Sequence, residues 1–62
     1  MPDDLATIRR TLAQVKATCG TLEGVLLEGV PSEEMAVDLR GRVEGAKDRL
    51  QIVRDWLDNI GR

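Results

Sequence analysis

The chain has 62 residues, with one cysteine, one tryptophan and no histidine, tyrosine or phenylalanine. Hydrophobic residues make up 42%, charged residues 32%, and the net charge is −2. This is the balance of an ordinary helical chain, and bulk charge gives no reason to expect nucleic acid or an anionic membrane as a partner.

Without histidine there is no imidazole for a nucleophile pair or a metal ligand. One cysteine makes neither an intrachain disulfide nor a zinc site. No phosphate-loop or nucleotide-fold motif is present. No catalytic residue, metal or cofactor is therefore expected, and the protein is not expected to be an enzyme. The length suits one domain, 1–62, whose thin core needs help, for which oligomerisation is the common solution.

The opening Met1-Pro2-Asp3-Asp4 is acidic where a secretory signal is basic. Asp3 and Asp4 suit a helix N-terminus, where the macrodipole favours carboxylates. Apolar residues then fall at Leu5, Ile8, Leu12, Val15, Cys19, Leu22 and Leu26, in alternating steps of three and four. That unbroken a/d heptad predicts a helix over about 4–28. Gly29 is expected just past its end, with Val30 folding back onto Val25, and Pro31 forbids continuation.

The turn is predicted over 29–32. Ser32 is a good N-cap, followed by Glu33 and Glu34 in the first helical turn. A second heptad runs through Ala36, Leu39, Val43, Ala46, Leu50, Val53, Leu57 and Ile60, and Gly61 closes it. It predicts a helix over about 33–60. A turn this short makes the helices antiparallel. The expected fold is all-α: an antiparallel two-helix hairpin with heptad packing, dimerising into a four-helix bundle.

The dimer is expected because apolar residues also lie off the stripe. Val25, Leu27, Met35, Val37, Ile52 and Trp56 form the candidate interface. Cys19, at a core position, is expected to be a small buried hydrophobe. Gly20/Gly24 and Gly41/Gly45 are each four apart, which suits either a close helix crossing or glycines facing solvent.

Basic residues flank the second heptad. Arg40, Arg42, Lys47, Arg49 and Arg54, with Trp56, form a candidate anion-binding stripe. The same residues also suit a plain reading, in which basic stems cover the seam and weak intrahelical pairs absorb the charge. No apolar run reaches the ~20 residues of a membrane span, and the lone thiol suits a reducing compartment, so a cytoplasmic protein without membrane partners is expected.

The expected function is that of a small regulatory interaction protein. It acts as a homo-oligomer and binds or inhibits another macromolecule through a helix face. The alternative is a bundle that holds RNA or a phosphorylated nucleotide on the Arg-rich stripe, as a phage sequestering protein would.

Overall fold

The computed structural model describes residues 4–61; the expectation placed on Asp3 falls outside them. Two helices, α1 (Leu5–Leu27) and α2 (Glu33–Ile60), pack against each other as a hairpin measuring 44 × 17 × 16 Å. No strand occurs among the described residues.

Local chemistry accounts for the helix ends. The Asp4 carboxylate accepts the Thr7 backbone N–H at 2.8 Å and caps α1. This bond, with help from the Thr7 hydroxyl and from Arg10, holds the Asp4 carboxyl below its ordinary value of 3.8. A carboxylate depressed in the folded state adds stability above the unfolded value, and that stability is lost as pH falls through the folded value. Melts taken from neutral pH down through about pH 4 should therefore bring the wild type and Asp4→Asn together. The wild type should lose its advantage over the variant as the pH falls through the lowered value, whereas a constant gap between the two melting temperatures would remove the charge from the cap's role.

α1 stops where Gly29 takes φ +125°, a left-handed conformation that favours glycine. The Gly29 N–H donates to the Leu26 carbonyl at 3.3 Å. Val30, expected to close this ending against Val25, is instead 97% exposed. In α2, Ser32 Oγ accepts the Met35 N–H at 3.2 Å, and Glu33 and Glu34 occupy the first turn as expected.

The core is thinner than the heptads predict. Only Ile8, Val15, Leu39 and Val53 are buried among the described hydrophobic residues. The helices meet along Ile8, Val15 and Leu22 of α1, bordered on one side by Thr11, Thr18 and Val25, all buried or half-buried. On α2 the half-buried residues beside Leu39 and Val53 are Ala36, Gly45, Ala46, Arg49 and Trp56.

Threonine can stand in this seam because its hydroxyl is satisfied locally. Thr11 donates to the Thr7 carbonyl at 2.9 Å and Thr18 to the Gln14 carbonyl at 3.1 Å, leaving the methyl groups to pack. The seam is therefore rotated by about half a heptad step from the stripe read in the sequence. The displaced half of that stripe, Leu5, Leu12, Cys19 and Leu26 with Val43, Leu50 and Leu57, is exposed. Cys19 is consequently not the buried hydrophobe its heptad position implied.

The glycines divide. An added Cβ at Gly20, Gly24 or Gly41 meets nothing within 4 Å, so no close crossing explains them in the hairpin. At Gly45 it would lie 3.3 Å from Arg49 Nη1, so the missing side chain makes room for that guanidinium. Changing Gly20, Gly24 and Gly41 together to Ala is expected to stabilise the fold by about 1.5–3 kcal/mol, visible as a higher melting temperature. A lower one would mean that these positions are covered in the working protein.

Candidate functional site

The candidate site is the exposed apolar face. Residues seven apart return to nearly the same side of a helix, so Leu5, Leu12, Cys19 and Leu26 form one row on α1. Val43, Leu50 and Leu57, with the half-buried Ala36, form the matching row on α2. Equal rise on either side of the turn sets Leu26 level with Ala36, Cys19 with Val43, Leu12 with Leu50, and Leu5 with Leu57.

Both rows lie on one side of the hairpin. In α1 the exposed row is offset from the seam in the direction of increasing residue number, and the same holds in α2. Because the helices run antiparallel, those equal rotations turn toward the same side. Exposure of the large members runs from 37% at Val43 to 56% at Leu26. Together they present roughly 500–600 Å² of apolar surface, at the upper end of what a monomer shows in one patch.

The edges of this face are basic. The next positions round α1 are Arg9, Lys16 and Glu23; round α2 they are Arg40, Lys47 and Arg54. Lys47 lies 3.7 Å from Glu44 and Arg54 lies 4.0 Å from Asp58, both as exposed intrahelical pairs. Such pairs are weak.

The structure divides the candidate anion-binding stripe. Arg40, Lys47 and Arg54 edge the apolar face, whereas Arg42, Arg49 and Trp56 share a row with Met35 on the opposite side. Arg42 Nε bonds Asp38 at 3.2 Å. Arg49 Nε donates to Gln14 Oε1 at 2.8 Å, the one side-chain hydrogen bond between the helices among the described residues. Trp56 is half-buried. In this second row Arg49 is bonded across the helices, Arg42 makes an exposed intrahelical pair like those of Lys47 and Arg54, and Trp56 is half-buried beside the seam.

The candidate interface residues are likewise dispersed. Val25 is half-buried, and with Met35, Val30 and Pro31 it lines a shallow hollow at the turn. Leu27, Val37 and Ile52 are exposed, at 83%, 66% and 43%, and none of them stands in the two apolar rows. Among the described residues no group of three or more His, Cys, Asp or Glu side chains could hold a metal ion, and no helix is long and apolar enough to cross a membrane. No family model, curated protein or solved structure matches the chain.

Proposed function

We propose that this chain is a non-enzymatic interaction module whose working form is a dimer of hairpins, a four-helix bundle. In this reading it binds or inhibits another macromolecule through the helix faces the dimer leaves outside. The observation that supports the reading is the exposed half of the heptad core, an apolar face running the length of both helices.

The areas agree. The roughly 500–600 Å² presented by the two rows is of the order of the ~800 Å² that each partner gives up in a standard interface.

Sedimentation equilibrium at micromolar concentration is the test, and it is expected to return twice 6.8 kDa. Salt adds a second readout. Apolar contact does not weaken with salt, and screening of the basic edges should tighten the dimer. A phosphate ligand held by Arg40, Lys47 and Arg54 should instead be released. A folded monomer at all concentrations, or one that assembles only around an anion, overturns the proposal.

A further inference from the structure

The apolar face tapers along its length. Counted in side-chain heavy atoms, the Leu5/Leu57 and Leu12/Leu50 levels carry eight each, and the Cys19/Val43 and Leu26/Ala36 levels carry five each. The bulky half lies at the open end of the hairpin and the slight half at the turn.

Two hairpins can lie face to face with two-fold symmetry in two ways. If both turns are at the same end, equal levels stack on each other. Two layers then hold sixteen heavy atoms and two hold ten. If the turns are at opposite ends, each bulky level meets a slight one, and all four layers hold thirteen. Protein interiors are packed to nearly uniform density, so crowded layers beside hollow ones cost stability while even layers do not.

We infer that the second copy lies with opposite polarity: the turn of each hairpin covers the open end of the other, α1 lies along α1 and α2 along α2. The inference rests on the dimer proposed above and deepens it, since the face is the complement of its own reverse. In this arrangement Arg9 of one copy is level with Glu23 of the other on the α1 edge, whereas the α2 edges bring Arg40 level with Arg54. Charge therefore favours one edge and opposes the other, and the taper decides the polarity.

The experiment is an electron-spin distance measurement on the full chain. Cys19→Ser removes the native thiol, and Glu28→Cys puts one spin label at each turn; a second variant, Asp58→Cys in the same background, labels the opposite end. Opposite polarity places the two turn labels about 38 Å apart, since Glu28 lies some 12–13 residues from the centre of the face. It places the Asp58 labels roughly 35 Å apart. Same-end stacking brings either pair to about 20 Å or less, because neighbouring helix axes lie 8–10 Å apart. Long distances from both variants support the inference. A short distance in a species of dimeric mass overturns the polarity and leaves the dimer standing. A monomeric mass with no inter-label coupling, in these variants and in the unlabelled wild type alike, overturns the dimer itself, and the inference with it.

Discussion

Leu39→Ala is expected to unfold the hairpin. Leu39 is 7% exposed and is one of four buried hydrophobic residues among those described. Truncating a buried leucine costs about 2–5 kcal/mol, and a chain of this size has roughly 3–9 kcal/mol in all. Circular dichroism should show most of the helical signal gone, or the melting temperature lowered by tens of degrees. Leu12→Ala is the control. Leu12 is 42% exposed in the hairpin, so the two variants differ sharply if the hairpin stands alone and converge if a partner covers that row. A Leu39→Ala protein that melts like the wild type would overturn the seam described above.

Leu12→Asp combined with Leu50→Asp is expected to abolish self-association. The two leucines are level with each other near the middle of the apolar face, and a carboxylate there cannot be buried unpaired. The dissociation constant should rise at least a thousandfold, bringing the sedimenting mass down to 6.8 kDa. Helicity should fall with it to the extent that folding depends on assembly, and the wild-type melting temperature should then rise with protein concentration. A double variant that stays dimeric would place the interface on another face.

The helices, their ends and the turn are all legible in the residues. Ser32, Pro31 and Gly29 act through their own backbone and need no tertiary context. The choice of seam is not local. A heptad specifies a broad apolar face, and it does not say which part the chain covers with its own second helix. Thr11 and Thr18 mislead in this respect: they count as polar in a sequence, yet each hydroxyl is satisfied by the preceding turn and the remainder packs as a small apolar group.

The division of the basic stripe, by contrast, was available from spacing alone. Arg40, Lys47 and Arg54 form one heptad row, and Arg42, Arg49 and Trp56 another. Rows two residues apart are turned by about 200° and cannot line one groove on one helix. The bond from Arg49 to Gln14 was not available, because it depends on the level at which two distant stretches of chain meet and on the space at Gly45.

That only four of the described side chains are buried also bears on how long a copy of this chain survives. With so little apolar surface withdrawn from water, a lone hairpin opens at small cost, and each opening presents extended chain to a protease. In the proposed dimer, mass action would close that route when copies are plentiful, because a partner draws the open state back into the folded one. For such a dimer, turnover would fall as abundance rises, and the lifetime of each copy would depend on how many others are present.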